Sequence, residues 1–331
     1  MYWSDTWFQL RQGMGEFRDN LLHYFYINRR AILDPSLRLD GQVIILTGAN
    51  RNIGKAIAED LCSRGARVIM ACRNMQLAEA AASDIRIRVP RAQLVCYLVD
   101  LASFQSIRSF VTHVKEREKR IDVLINNAGV FMHSRRETED GFEMMIGVNY
   151  LAPVYLTLLL MDFMRSTSPD PRIISVGSLS HMMVRGIQWK DLHSRQQLSC
   201  SLQRAWRSYG HSKLAITLFS KELAQRTRDK GIRVYAVDPG IAPTQLIVRD
   251  IPNMAGTALL MLMPRPLIRT VSESAASVVT SVLHPRHAYS PDRFYYCDGR
   301  EKELSPPAQS DENAERLWNM TTQLLQSMSA L

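Results

Sequence analysis

The 331-residue chain predicts an α/β fold, a doubly wound parallel sheet wrapped on both faces by helices, in a single domain preceded by an amphipathic helix. Two observations carry that prediction. Short runs rich in Val, Ile and Leu alternate with stretches of helical periodicity from Gln42 to Val237. The short runs are continuously apolar rather than apolar at every second position, as expected of strands buried on both faces. No tandem repeat and no low-complexity tract interrupts the pattern.

The elements follow in order. Gln42 to Thr47 reads as the first strand, and Ile53 to Arg64 as a helix that Gly65 stops. Arg67 to Ala71 is the second strand, followed by a helix from Met75 to Ile87 with Pro90 beyond its end. Leu94 to Val99 is the third strand, Ile107 to Glu118 a helix, and Val123 to Ile125 the fourth strand. Phe142 to Met164 reads as a long helix carrying Pro153, and Ile173 to Val176 as the fifth strand. Tyr209 to Thr227 is helical, and Arg233 to Val237 is the sixth strand. Asp34-Pro35-Ser36 reads as a linker, which divides the chain into an amphipathic segment (1–33), a main domain (40–300) and a C-terminal helical extension (301–331).

Composition narrows the function classes. With 46% apolar residues the chain can bury a large core. The net charge of +9 suits an anionic membrane surface or an anionic cofactor. Nucleic acid is not expected as a partner, because the basic residues are scattered, with no zinc-finger spacing and no basic region leading into heptads. Cys62, Cys72, Cys96, Cys200 and Cys297 show no CxxC spacing, which fits reduced thiols facing the cytosol and no metal site. No apolar run reaches the ~18 residues of a spanning helix. Trp3, Trp7, Leu10, Met14, Phe17, Leu21 and Tyr24 do form one apolar helix face, with Arg11, Arg18, Arg29 and Arg30 outside it. Such a helix either lies in a membrane interface or packs against its own domain or a second copy in a homodimer.

Three patterns point to chemistry. Between the first strand and helix stands Thr47-Gly48-Ala49-Asn50-Arg51-Asn52-Ile53-Gly54. A glycine-rich turn at such a junction lets backbone N–H groups approach a pyrophosphate, and the helix N-terminus adds positive potential. Where a dinucleotide fold would place an acidic residue on an NAD ribose, after the second strand, stands Arg73. Together with Arg51 it suits a 2′-phosphate, so NADP(H) is expected rather than NAD(H). Finally, Tyr209 and Lys213 share one face of a helix whose apolar positions are Leu214, Leu218, Phe219 and Leu223. A free phenol ionises near pH ~10, and a neighbouring ammonium is expected to pull that value toward neutrality.

Taken together these residues resemble the short-chain dehydrogenase/reductase superfamily, a Rossmann-type fold. Its loop is Thr-Gly-x3-Gly-x-Gly; Gly48 and Gly54 match, and Asn52 replaces the middle glycine. Asparagine tolerates a left-handed backbone better than most residues, so the loop can form. Asn126-Asn127-Ala128-Gly129 matches the family tetrapeptide unchanged. By resemblance, Asp100 with Leu101 contacts the adenine, while Asn127, Ala128 and Gly129 line the cofactor cleft. Pro239, Gly240 and Thr244, from an intact Pro-Gly-x3-Thr, hold the nicotinamide. The resemblance also implies a catalytic tetrad: Asn149, which orders a proton-relay water; Ser178, which positions the substrate oxygen; Tyr209, which moves the proton; and Lys213, which tunes Tyr209 and binds the ribose. Gly177 stands where the family usually has a first serine, and Ser175 and Ser180 are rivals of Ser178. His181 reads as structural.

Within that superfamily the chain is similar to the retinol dehydrogenase branch through Thr138-Glu139-Asp140-Gly141-Phe142-Glu143, His211-Ser212-Lys213-Leu214-Ala215 and Ala314-Glu315-Arg316-Leu317-Trp318. The resemblance implies an NADP(H)-dependent oxidoreductase interconverting a lipophilic alcohol and its aldehyde or ketone. The apolar Ala255–Pro264 stretch is expected either to cover such a substrate or to cover the protein's own core. Trp189 and Trp206 belong to a long connection that is expected near the entrance. The expected location is cytosol-facing at a membrane, the endoplasmic reticulum or a lipid droplet, with a soluble cytoplasmic protein as the alternative. The alternative function is a degenerate cofactor-binding or membrane-recruited scaffold without turnover, motivated by Asn52 and Gly177.

Overall fold

The computed structural model describes residues 33–189, 201–242, 268–283 and 294–329. The amphipathic segment apart from Leu33, Thr244 and the Ala255–Pro264 stretch therefore lie outside the described residues, as do 190–200 of the long connection.

The chain alternates β1 (Val43–Thr47), α1 (Asn52–Ser63), β2 (Arg67–Cys72), α2 (Met75–Arg88), β3 (Gln93–Leu98), α3 (Phe104–Arg117), β4 (Val123–Asn126), α4 (Met144–Thr167) and β5 (Arg172–Val176). It continues with α5 (Ser201–Arg226), β6 (Arg233–Val237), α6 (Val271–Leu283), β7 (Tyr295–Cys297), β8 (Arg300–Glu301), a short α7 (Pro306–Gln309) and α8 (Asp311–Ser329). The strands form one eight-stranded sheet ordered β3-β2-β1-β4-β5-β6-β7-β8. All neighbours are parallel except the final β7–β8 pair. The order reverses between β1 and β4, and a crevice opens at the carboxyl ends of the strands at such a switch point.

The continuous apolar strands divide their side chains between two cores. In β1, Val43 and Ile45 join the core beneath α3, α4, α5 and α8, while Ile44 and Leu46 join the core beneath α1, α2 and α6. Helix α4 is long and apolar enough to cross a membrane, but 78% of its apolar window is buried within the protein, so it is a core helix.

Several boundaries differ from the sequence reading. Helix α5 begins at Ser201, two turns before Tyr209, so the tyrosine sits inside a helix rather than at its frayed start. Helix α4 contains a π-turn at Gly147–Leu151, where the N–H of Ala152 reaches back to the carbonyl of Gly147. Pro153, which has no N–H to donate, follows directly, where the regular ladder is already interrupted. Strands β7 and β8 extend the sheet beyond the six strands expected. Their turn, Asp298-Gly299, has φ of +55° and +68°, as a two-residue hairpin turn of type I′ requires.

The Thr138–Glu143 stretch acts as a connector. Asp140 accepts from the N–H of Phe104 at the start of α3 (2.9 Å). The buried Glu143 accepts from the N–H groups of Met145 and Ile146 at the start of α4.

Candidate active site

The end of β1 and the end of β4 are laced together. The Thr47 hydroxyl accepts from the N–H groups of Asn127 and Ala128, both at 3.0 Å. The Asn127 amide donates to the carbonyls of Thr47 (2.9 Å) and Gly48 (3.4 Å). A Cβ on Gly48 would meet Ala128 at 2.9 Å, and one on Gly54 would meet the Gly48 carbonyl at 2.2 Å. Both glycines are therefore needed for backbone approach, and Gly48, at φ +68°, for the turn as well. Asn52 opens α1 with φ +47°, the left-handed conformation its replacement of glycine demanded. No side chain caps the N-terminus of α1, which leaves its first N–H groups open, and Arg51 stands exposed beside them.

Arg73 follows β2 with 69% of its side chain exposed, 4.0 Å from Asp100. Asp100 also accepts from the N–H of Ala102 (2.9 Å), and its own N–H donates to Ser106. Leu101 is buried beside it.

Asn149 lies in the π-turn of α4. Its Oδ1 accepts from the N–H of Val130 (2.8 Å), and its amide donates to the Val130 carbonyl (2.9 Å) and to Ser212 Oγ (3.1 Å). Ser212 in turn donates to the carbonyl of Tyr209 (2.8 Å). The side chain of Asn149 thus ties the segment following Gly129 to the turn of α5 that carries Tyr209. A Cβ on Gly129 would stand 3.5 Å from Asn149 Oδ1 and 3.9 Å from Lys213 Nζ, so the missing side chain keeps a cradle open in front of the lysine.

The Ser178 side chain is hydrogen-bonded to the Tyr209 phenol and accepts from the N–H of Ser180. Lys213 Nζ lies 5.8 Å from the centre of the Tyr209 ring and donates to the carbonyl of Val176 at 2.8 Å. Ser178, Tyr209 and Lys213 therefore converge at the carboxyl end of β5, and Asn149 supports them from behind. Of the rival serines, Ser175 and Ser180 are both buried, and the Ser180 hydroxyl meets no hydrogen-bond partner among the described residues. At Gly177 an added Cβ would meet only ordinary contacts at 3.5 Å or more, so no close approach demands a glycine there.

Electrostatically the pair departs from expectation. Burial pushes the Tyr209 phenol up to about 12, opposed by the Ser178 hydrogen bond and reinforced by the Asp238 carboxylate. The ammonium was expected to lower this value; desolvation outweighs any such help in the protein itself. Burial also pushes Lys213 down to about 8, with Asp238 partly restoring it. At neutral pH the site holds a neutral phenol, a proton donor, beside a lysine that is still mostly cationic.

A second layer of residues lies behind these: His181 reads from sequence as structural, whereas Asp238 carried no expected role. His181 is fully buried: its Nδ1 lies 2.8 Å from the Ser178 carbonyl and its ring packs edge-on to Tyr295. Asp238, directly after β6, accepts from the N–H of Gly240 (2.8 Å) and from the Tyr295 hydroxyl (3.4 Å). Its position at the carboxyl end of a central strand was the available signal. Pro239 and Gly240 lie beside it, with Gly240 at φ +76°. Trp206 packs on Phe131 (4.9 Å between ring centres), which packs on Tyr209 (5.5 Å), forming an aromatic wall beside the phenol. Trp189 instead lies under the Arg316 guanidinium of α8.

Known proteins share this chain's sequence pattern and fold. A profile of the short chain dehydrogenase family matches residues 42–189. Human retinol dehydrogenase 12 is 37% identical, over 88% of this chain and 88% of its own length. Mouse retinol dehydrogenase 13 is 38% identical, over 87% of this chain and 84% of its own. Among solved structures, an uncharacterized protein from Mycobacterium paratuberculosis matches with a TM-score of 0.66 and 28% identity, covering 87% of this chain and 95% of that one. The chain belongs to the short-chain dehydrogenase family of oxidoreductases. Within that family it is retinol dehydrogenase-like.

Proposed function

We propose that the protein is an NADP(H)-dependent oxidoreductase that interconverts a lipophilic alcohol, of the retinol, polyprenol or steroid kind, with its aldehyde or ketone. The observation that carries the reading is the convergence of Ser178, Tyr209 and Lys213 at the end of β5. The cofactor fits the chain: Gly129 leaves a space in front of Lys213 that a Cβ would fill, Gly48 and Gly54 let the loop close tightly on Ala128 and on itself, and the uncapped α1 N-terminus suits a pyrophosphate. Asn50 and Ile53 complete the loop, and Asp100, Leu101, Asn127, Ala128, Pro239 and Gly240 line the same end of the sheet. Exposed Arg51 and Arg73 favour a 2′-phosphate.

When bound, the nicotinamide supplies or accepts the hydride at the substrate carbon. The chain's own residues manage the oxygen. In reduction the Tyr209 hydroxyl gives its proton to the carbonyl oxygen as negative charge develops there, and the Ser178 hydroxyl donates a hydrogen bond to the same atom. Lys213 stabilises the phenolate left behind until a proton returns. A neutral phenol at pH 7 suits the reductive direction, because the proton to be donated is already in place. The aromatic wall of Phe131 and Trp206 gives the reacting end of the crevice an apolar side, which suits a hydrocarbon substrate.

The test is NADPH consumption with retinal, a polyprenal, a steroid ketone and a short aldehyde, beside Tyr209→Phe. A loss of about 100-fold to 10,000-fold in kcat with cofactor binding intact is expected. Unchanged turnover in Tyr209→Phe overturns the assignment. The same reading includes peripheral membrane contact through residues 1–33. Deleting them should abolish vesicle binding while sparing turnover of the short aldehyde, and loss of that turnover with the fold intact counts against a separate anchor.

A further inference from the structure

The backbone of Gly240 and Ile241 is held by an ion pair that lies behind it. Arg269 precedes α6, and Asp298 sits in the turn between β7 and β8. Their contact is fork to fork: Nη1 to Oδ1 and Nη2 to Oδ2, both at 2.6 Å, with side chains 7% and 1% exposed. The guanidinium also reaches Cys297 Sγ at 3.5 Å. The side chain packs closely against Gly240: a Cβ there would meet Nε at 2.4 Å and Cδ at 2.5 Å. The N–H of Arg269 donates to the Ile241 carbonyl at 2.8 Å.

The bonds close into a ring. The N–H of Gly240 donates to the Asp238 carboxylate (2.8 Å), and Ser277 Oγ donates to the Asp238 carbonyl (3.1 Å). Ser277 Oγ accepts from the N–H of Asp298 (2.9 Å), and Asp298 holds Arg269, which closes on Gly240 and Ile241. Loop, helix α6 and hairpin turn are thereby fixed to one another at the carboxyl end of β6. A fully desolvated ion pair is a poor way to stabilise a fold, since apolar replacements of similar volume often do as well or better. It is a good way to hold one backbone geometry, because a bidentate contact fixes direction as well as distance.

We propose that Arg269 and Asp298 are positioning residues for the reacting end of the cofactor: their ion pair holds Gly240 and Ile241 where the nicotinamide must lie against Tyr209 and Ser178. The proposal rests on the reading that the Gly240 loop faces the cofactor. It assigns the pair no contact with substrate and no share in proton transfer.

The test compares the wild-type chain with Arg269→Met/Asp298→Asn, which removes both charges together, leaves no buried charge unpaired and keeps at position 298 a residue that tolerates the left-handed backbone. Arg269→Lys keeps the charge but loses the fork. Glu118→Gln is the control, because Glu118 makes an equally bidentate pair with Arg67 at the opposite end of the sheet. Readouts are thermal midpoint, NADPH dissociation constant by fluorescence titration, and kcat with the aldehyde. Expected for the double variant are a thermal midpoint within a few degrees of wild type, a tenfold or greater loss of NADPH affinity, and a tenfold or greater fall in kcat at saturating NADPH. Arg269→Lys should fall between the two, and Glu118→Gln should change the midpoint alone. A folded double variant with wild-type affinity and kcat overturns the proposal while leaving the oxidoreductase reading intact. If the wild type binds NADPH without turning over any aldehyde, the catalytic reading fails and the affinity ratio still decides the clamp. If the wild type binds no nicotinamide cofactor, both fall together.

Discussion

Replacing Lys213 by methionine should destroy activity and, at neutral pH, leave the protein between as stable as wild type and about 2 kcal/mol more stable. Lys213 is 5% exposed, and burial pushes its amine from 10.5 down to about 8. Below pH 8 the amine is charged in both folded and unfolded chains, and the folded state carries the whole desolvation cost. At about 1.4 kcal/mol per pH unit that cost is about 3 kcal/mol at pH 7. Because the folded value is depressed, the unfolded chain binds more protons between 8 and 10.5, so this contribution to stability improves as pH rises through that window. By pH 10 about 1 kcal/mol of the cost remains. Methionine removes the charge at a similar volume but leaves the Val176 carbonyl without its donor, a loss of about 1–3 kcal/mol that does not depend on pH. The difference in unfolding free energy between variant and wild type should therefore fall by about 2 kcal/mol from pH 7 to pH 10, whatever the carbonyl term. Urea denaturation at several pH values measures this difference, and titrations shared by both proteins cancel. A difference that is flat with pH, or that grows in favour of the variant, would refute the claim that Lys213 is held charged against its desolvation.

Two further perturbations probe the cofactor loop. Arg73→Ala should raise KM for NADPH about tenfold and leave KM for NADH nearly unchanged, since only the 2′-phosphate loses a charge-assisted contact; equal effects on both cofactors would show that Arg73 merely faces solvent. Asn52→Ala should destabilise by about 1–2 kcal/mol because alanine resists the left-handed φ of +47°, whereas Asn52→Gly should be tolerated and keep NADPH affinity; thermal melts and fluorescence titration read both, and an alanine variant as stable as wild type would contradict that backbone geometry.

The central sheet was legible because its strands are buried on both faces and so appear as unbroken apolar runs. Strand ends and the residues just beyond them could be located to within a residue or two, which placed Gly48, Arg73, Asp100, Asn127 and Ser178 at one end of the sheet. The edge was less legible. Strand β7 has three residues and β8 has two, too few for any periodicity to register, although Asp298-Gly299 is a recognisable hairpin turn. The start of α5 was hidden because the turns before Tyr209 lack the apolar rhythm of the later ones. Least legible was the long-range polar layer. Nothing in the local sequence of Arg269 announces a partner 29 positions away, and the burial that raises Tyr209 and lowers Lys213 belongs to the packed molecule rather than to their spacing.

These two kinds of buried cation explain one another's placement. Arg269 meets a carboxylate through two short bonds, so its charge is compensated where it stands. Lys213 meets the neutral carbonyl of Val176, with the Asp238 carboxylate assisting only through space, and its amine falls to about 8. A fixed charge suits a group that must hold a backbone still. An incompletely compensated charge suits a group whose strongest partner, the phenolate, exists only after the proton has left Tyr209. Compensating Lys213 as fully as Arg269 would stabilise the resting protein and remove the reason for the ammonium to stabilise that phenolate. The same logic makes the crevice end of β5 the place where stability is given up, and the ring behind β6 the place where geometry is secured.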